Sequence, residues 1–190
     1  MFNLRYDTPK EWIDTVLGDF DKFLLDHAAC ERKASANAVS FAVRYPNHPK
    51  LVQTMVKVAQ EEMEHFATMT DIVYQRGLQF DKDEKDPYIN ALIKLTRWEG
   101  NERLIDRLLI FSIVEGRGCE RFHLLANALP DGPLKDLYAD LVRSESQHHI
   151  VGVQLLKEMF PKEEWEPRYQ ELLEAEGKIV SELPFRAALH

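Results

Sequence analysis

Two short stretches decide how this sequence folds: Glu62-Met63-Glu64-His65 and Glu145-Ser146-Gln147-His148. Both follow the pattern Glu-x-x-His. Residues three apart lie on the same side of an α-helix, so the carboxylate and the imidazole of each pair can reach one point. One such pair is a weak signal, because Glu and His are ordinary helix-surface residues. Two pairs at helical positions that should be apolar indicate a helical bundle built around metal ions.

Each pair is preceded by a further carboxylate on a helical face that is otherwise apolar. Glu31 precedes Glu62 by 31 residues, and Glu115 precedes Glu145 by 30, so the sequence repeats a pattern of Glu followed by Glu-x-x-His. Burying four carboxylates without compensation would cost more free energy than a domain can supply. Four carboxylates and two imidazoles are the ligands of a di-iron or di-manganese site, and iron suits them because it can also activate O2.

The apolar pattern around these residues predicts an all-α protein. Apolar residues recur at spacings of three and four and predict four long helices, at about 19–45, from Pro49 to Gly77, 101–128 and 133–160. Short helices are expected after an N-cap at Thr8 and after Asp86-Pro87. The tail should hold more helix, interrupted at Pro167, Gly177 and Pro184.

The long connection 77–99 between the two helix pairs is typical of a ferritin-like four-helix bundle with one long crossover. We therefore expect a single ferritin-like di-iron domain over 1–190, with its core at about 19–160 and a helical extension at 161–190. In that bundle Glu31 and Glu115 would be terminal ligands, and His65 and His148 would bind one metal each. Glu62 and Glu145 would bridge, and the di-iron centre itself would be the catalytic group.

Composition narrows the class of protein. The 190 residues are 45% hydrophobic and 29% charged, which suits one folded domain. With 32 acidic and 24 basic residues the net charge is −8, which excludes a strongly basic nucleic-acid binder. The two cysteines, Cys30 and Cys119, cannot form a disulfide framework. The N-terminal residues lack the apolar core of a signal peptide, and no apolar stretch is long enough to span a membrane, so we expect a cytoplasmic protein without membrane contact.

Several further residues are candidates for supporting roles. His27 and Glu61 lie one turn before a ligand and could hydrogen-bond to it, and Cys119 could line a substrate pocket or simply pack in the core. We expect Glu64, Glu120 and His149 at the surface. The three tryptophans, Trp12, Trp98 and Trp165, are expected to anchor the short helices, with base stacking as the alternative.

The sequence resembles the MiaE family of tRNA-(2-methylthio-N6-isopentenyladenosine) hydroxylases. The resemblance extends from about Leu24 to Phe160 and rests on four segments. They are Asp26-His27-Ala28-Ala29-Cys30-Glu31-Arg32-Lys33-Ala34-Ser35, Glu61-Glu62-Met63-Glu64-His65-Phe66, Val114-Glu115-Gly116-Arg117-Gly118-Cys119-Glu120-Arg121-Phe122 and Ser144-Glu145-Ser146-Gln147-His148-His149.

The resemblance implies a ferritin-like, non-haem di-iron monooxygenase. Such an enzyme uses O2 and electrons from an external reductase to hydroxylate the isopentenyl group of a modified adenosine beside the tRNA anticodon. It implies iron ligands at Glu31, Glu62, His65, Glu115, Glu145 and His148, the same six that the spacing indicates. A small basic face would then accept the anticodon stem-loop. Its candidate residues are Arg97, Arg103, Arg107, Arg117 and Arg121.

Other functions use the same ligands. Ferritin, bacterioferritin and rubrerythrin relatives oxidise iron or reduce peroxide, and di-iron enzymes also hydroxylate quinone rings. A quinone hydroxylase should expose an apolar membrane-facing surface, which a mean hydropathy of −0.37 does not favour. A helical scaffold without catalytic activity would bind no stoichiometric iron.

Overall fold

The computed structural model describes residues 3–190, and within that range every regular element is an α-helix. The all-α prediction is therefore confirmed. The helices between residues 3 and 190 contain no segment that combines the length and the apolar character of a membrane span. In chain order the helices are α1 Lys10–Gly18, α2 Phe20–Arg44, α3 Pro49–Gln75, α4 Pro87–Lys94, α5 Gly100–Ala128, α6 Pro133–Met159 and α7 Lys162–Glu182.

The four long predicted helices correspond to α2, α3, α5 and α6, each within about two residues of its expected ends. Local chemistry explains several boundaries. The Asp19 carboxylate accepts from the backbone N–H of Lys22 at the start of α2, and Pro49 and Pro133 open α3 and α6, where a missing N–H costs nothing. Gly77 follows α3 with a φ of +73°, which a residue with a Cβ adopts only with strain. Two long-helix pairs joined by a long connection give the element order of ferritin-like folds.

The chain divides into two compact units. The first, here called the α2–α3 unit, comprises Asp14–Glu84 and Arg186–Leu189. In it α2 packs against α3 around Phe23, Phe41 and Met55, all fully buried. The prediction of one domain over 1–190 concerns how the units combine, and it stays a prediction.

The second unit, here called the α5–α6 unit, comprises the N-terminal residues to Ile13, Lys85–Phe185 and His190. Here α5 packs against α6, and α7 contacts α4, α5 and α6. A buried polar network ties α7 to α5. The Arg117 guanidinium donates to both Glu176 oxygens, at 2.8 and 3.1 Å, and to the carbonyl of Tyr6 at 2.8 Å, while the Tyr88 hydroxyl donates to Glu176 at 3.1 Å.

Two details of this unit differ from expectation. Thr8 does not cap α1, because its hydroxyl accepts from Arg117 at 3.2 Å and donates to the Glu120 carboxylate at 2.7 Å, while its backbone N–H also donates to Glu120 at 2.7 Å. Glu120, expected at the surface, is accordingly half-buried. In the tail, α7 continues through Pro167 and Gly177, where interruptions were expected, and ends at Glu182 just before Pro184, as expected. A Cβ on Gly177 would lie 3.1 Å from the Cβ of Arg5, so this glycine permits close packing of the N-terminal segment and does not end the helix.

Helices α5 and α6 approach each other closely at Gly152. A Cβ placed there would lie 2.3 Å from the Ser112 hydroxyl oxygen and 2.6 Å from the Leu108 carbonyl oxygen. The absence of a side chain at this position therefore lets the two helix backbones pack at short range.

Gly152→Ala should destabilise the protein. Overpacking of this kind costs about 1–3 kcal/mol, which outweighs the roughly 1 kcal/mol that Ala gains over Gly in a helix. Denaturant unfolding should show a reduced free energy of unfolding. Gly118→Ala is the matched control, because a Cβ at Gly118 meets nothing within 4 Å, and it should leave stability equal or higher. Equal stability of the two variants would contradict the close approach.

Candidate metal centre

The α2–α3 unit brings three of the predicted ligands together. Glu31 lies on α2, and Glu62 and His65 lie on α3. One ligand atom from each lies within 4.8 Å of the other two. The His65 Nδ1 is 3.4 Å from a Glu62 oxygen and 3.9 Å from a Glu31 oxygen. Glu62 is 1% exposed and Glu31 4%, so both carboxylates lie inside the unit.

The second oxygen of Glu31 contacts His27 one turn earlier on α2. The distance from His27 Nε2 to Glu31 Oε1 is 2.5 Å, and the His27 ring is fully buried. This hydrogen bond orients the Glu31 carboxylate so that its other oxygen faces His65. His27 thus lies where an imidazole supporting a metal ligand is expected.

The α5–α6 unit holds the other three predicted ligands in a similar arrangement. Glu115 lies on α5, and Glu145 and His148 lie on α6, with their ligand atoms again within 4.8 Å of one another. The His148 Nδ1 is 3.0 Å from a Glu145 oxygen. Glu145 and His148 are 2% and 1% exposed. Each unit therefore contains a triad of two carboxylates and one imidazole, as the repeat in the sequence predicts.

The donor chemistry of each triad fits a divalent metal ion. Two carboxylates held within 4.8 Å of each other repel when both are ionised, and burial makes that repulsion stronger. A cation between them removes the repulsion. Carboxylate oxygen and imidazole nitrogen together suit iron or manganese better than calcium or magnesium, which prefer oxygen alone.

Two other supporting candidates occupy different environments. Glu61 is exposed, whereas its neighbour Glu62 is buried, so α3 turns Glu62 inward as the spacing predicts. Cys119 is buried one turn after Glu115, and its thiol donates to the Val142 carbonyl at 3.3 Å. Burial, with the negative charges of Glu145 and Glu115, raises the pKa of Cys119 to about 12.

Three predictions about surface residues need correction. Arg117 has no exposure and is engaged with Glu176, and Arg121 is 6% exposed with its guanidinium 5.0 Å from the Trp12 ring centre. Neither can present its charge to RNA. Both residues are predicted to contact RNA because they lie in a basic segment of the sequence. That position in the sequence does not show that α5 turns them toward α7 and the N-terminal segment. His149 is also half-buried, and its ring lies 2.7 Å from the Ser112 carbonyl.

The remaining arginine candidates lie nearer the surface. Arg97 is 32% exposed and pairs with Asp106 and Glu102, at 2.8 and 2.7 Å. The guanidinium of Arg103 stands 4.8 Å from the ring centre of Trp98. Arg107 is half-buried.

The two cysteines should differ sharply in reactivity. With a pKa of about 12, Cys119 holds only about one thiolate in ten thousand thiols at roughly pH 8, and burial blocks access to it. Iodoacetamide at that pH should modify the half-exposed Cys30 and leave Cys119 intact, as read by peptide mass spectrometry. In denaturant both should react. Equal labelling of the two in the folded protein would contradict the position of Cys119.

Comparisons with known proteins identify the family to which the sequence is similar. The sequence matches the family described as tRNA-(ms2io6A)-hydroxylase (MiaE) over residues 2–190. It is 33% identical over 142 residues to a tRNA 2-(methylsulfanyl)-N(6)-isopentenyladenosine(37) hydroxylase of Pseudomonas putida, covering 75% of this chain and 69% of the relative. It is also 33% identical over 100 residues to the enzyme of the same name from Salmonella typhimurium, covering 53% of this chain and 37% of the relative.

A solved structure is similar along nearly the whole chain. It is a protein with aldehyde deformylating oxygenase activity from Synechococcus, with a TM-score of 0.92 and 32% sequence identity. The similarity covers 97% of this chain and 92% of that one. The fold of this protein is therefore one that also supports oxygenase chemistry.

Proposed function

The chain belongs to the MiaE family of tRNA hydroxylases, and on this premise we propose that it hydroxylates the isopentenyl group of 2-methylthio-N6-isopentenyladenosine next to the tRNA anticodon. The family match over residues 2–190 carries the proposal. The chemistry of the triads supports it, because four carboxylates and two imidazoles are the ligands of di-iron carboxylate proteins. A tRNA substrate also implies a cytoplasmic location.

We propose that the catalytic group is a pair of iron ions held by the two triads. Glu31, Glu62 and His65 would supply one set of ligands, and Glu115, Glu145 and His148 the other. Iron bound there would supply activation of O2 for attack on an allylic C–H bond, which no amino-acid side chain can perform. Manganese has similar ligand preferences, and metal analysis of the purified protein distinguishes the two.

The residues of the chain supply position and protection. The His27 imidazole fixes the Glu31 carboxylate, so that this ligand need not reorganise when a metal binds. The burial of Glu62, Glu145 and His148 keeps bulk water from the metal ligands. The raised pKa of Cys119 keeps its thiol protonated, so it adds no negative charge beside Glu115 and Glu145.

The electron balance requires a partner. Hydroxylation places one oxygen atom of O2 in the product and reduces the other to water, which consumes two electrons and two protons. The chain carries no cysteine-rich or glycine-rich cofactor motif. We therefore propose that a separate reductase delivers the electrons.

The ligand set should be essential for metal binding and not for folding. Glu145→Ala removes a carboxylate from the α5–α6 triad, and we expect it to lose iron and hydroxylase activity while its helical circular dichroism persists. Iron content per chain, measured by plasma emission spectrometry, tests this. Glu158→Ala, an exposed position on the same helix, is the control and should retain iron. A Glu145→Ala protein that keeps two irons per chain would refute the proposed ligands.

The substrate is tested with tRNA. The purified iron-loaded protein is incubated with O2, a chemical reductant and tRNA that bears the isopentenyl modification. It should add one oxygen atom to the modified nucleoside, as measured by mass spectrometry. Deleting the gene should remove the hydroxylated nucleoside from cellular tRNA. Unchanged nucleosides in both experiments would exclude the tRNA function.

The same iron-loaded protein should be offered an aldehyde in parallel. Because the solved structure with aldehyde deformylating activity shares this fold, loss of the aldehyde without any change in tRNA would favour that class of reaction instead.

A further inference from the structure

The three tryptophans of the chain occupy very different environments. Trp12 and Trp165 are 2% and 4% exposed and anchor α1 and α7, as expected. Trp98 is 62% exposed, the highest exposure of any aromatic residue in the described part of the α5–α6 unit. An indole ring gains about 2 kcal/mol or more from burial, so a ring left this open suggests a surface that binds something.

The Trp98 ring is held in place although it is exposed. The Arg103 guanidinium, one turn into α5, stands 4.8 Å from the ring centre, a cation–π distance. Within residues 3–190 no carboxylate is paired with Arg103. Its charge therefore covers part of the indole and leaves the rest of the ring open to solvent. An indole ring beside a cation provides both a stacking surface and a positive charge.

The backbone that carries Trp98 is fixed on its N-terminal side. The backbone N–H of Arg97 donates to Asp106 at 2.8 Å, and Arg168 of α7 donates to the carbonyl of Leu95 at 2.7 Å. Asp106 is fully buried. Burial opposes its ionisation, but hydrogen bonds from Arg97 and Arg168 outweigh this and lower its pKa. The ring thus stands on an ordered turn, which reduces the entropy lost when a ligand stacks on it.

We propose that Trp98, oriented by Arg103, is a stacking platform for an unpaired base of the tRNA anticodon loop. This inference rests on the proposed function and names a contact by which that substrate would be bound. Single-stranded loops present bases that stack on aromatic rings, and arginine adds attraction to the nearby phosphates. Residues 99–102 beside the ring are exposed: Glu99 and Glu102 are acidic, with Glu102 paired to Arg97 at 2.7 Å, and the other two are glycine and asparagine. They lack the apolar patch that a protein partner would need.

A contact of this kind also reconciles RNA binding with a net charge of −8. Stacking does not depend on net charge, and one arginine at the ring places positive charge where the loop backbone passes. Binding should therefore weaken only moderately with salt, because few phosphates are neutralised.

The test uses the intact protein and an unmodified RNA hairpin whose loop is single-stranded. Tryptophan fluorescence should be quenched as the hairpin binds, because a stacked base quenches indole emission, and the same RNA annealed to its complement should quench far less. Trp98→Leu, which keeps apolar area but removes the π face, should raise the dissociation constant roughly five-fold or more. Trp98→Phe should retain most of the affinity and lose the quenching.

Two control variants separate stacking from general surface effects. Phe185→Ala removes an exposed aromatic ring elsewhere in the unit, and Lys178→Ala removes an exposed positive charge. Both should bind the hairpin as the wild type does. Arg103→Ala should weaken binding. In turnover of modified tRNA, Trp98→Leu should raise KM with little change in kcat, because a stacking contact contributes to substrate binding and does not act on the reacting bond.

The outcomes distinguish this inference from the proposed function. If the Trp98→Leu variant binds the hairpin with wild-type affinity and shows wild-type quenching, the stacking platform is overturned, even if the protein hydroxylates tRNA. The protein could instead leave modified tRNA unchanged while its hairpin affinity and quenching still depend on Trp98. That result would support the stacking platform and contradict the proposed reaction.

Discussion

The constraint on which this structure depends is the burial of carboxylates. Glu31, Glu62 and Glu145 are each less than 5% exposed, on helix faces that are mostly apolar. Ionised groups in such a place destabilise the fold unless opposite charge is brought to them. Each unit contains one helix pair, with a Glu on the first helix and a Glu-x-x-His on the second. This arrangement places an imidazole and a second carboxylate beside each buried acid. It is an arrangement that a divalent cation stabilises.

Other buried acids in the same protein are compensated differently. Glu176 receives hydrogen bonds from Arg117 and Tyr88, and Asp106 receives them from Arg97 and Arg168. Those acids join helices and pair with permanent cations, so they need no metal. The acids of the triads have imidazoles as their neighbours, and a neutral imidazole leaves both a lone pair and a net negative charge for a metal ion. The identity of the partner, arginine or histidine, therefore separates the structural carboxylates from those that we propose to bind metal.

Pairing with acids also decides which arginine side chains could contact RNA. Five arginines in one basic stretch of sequence were candidates, but two of them are buried in the network that joins α5, α7 and the N-terminal segment, and Arg97 is paired with two acids. Arg103 lies against an exposed indole. An acidic protein can bind a polyanion through such a small contact, because stacking contributes free energy that does not depend on net charge.

The sequence by itself determined the helices and the grouping of Glu and His into candidate ligand pairs, because both depend on local spacing. A period of 3.6 residues marks the helices, and i, i+3 geometry joins Glu to His. The four long helices end within about two residues of their predicted limits. Only the tertiary structure decided the rest, because those features join residues distant in the chain. Examples are the Arg117–Glu176 pair, the Thr8–Glu120 contact and the continuation of α7 through Gly177 where the N-terminal segment packs against it. Exposure, which separates Trp98 from Trp12 and Trp165, likewise has no local signature in sequence, because it depends on what the rest of the chain covers.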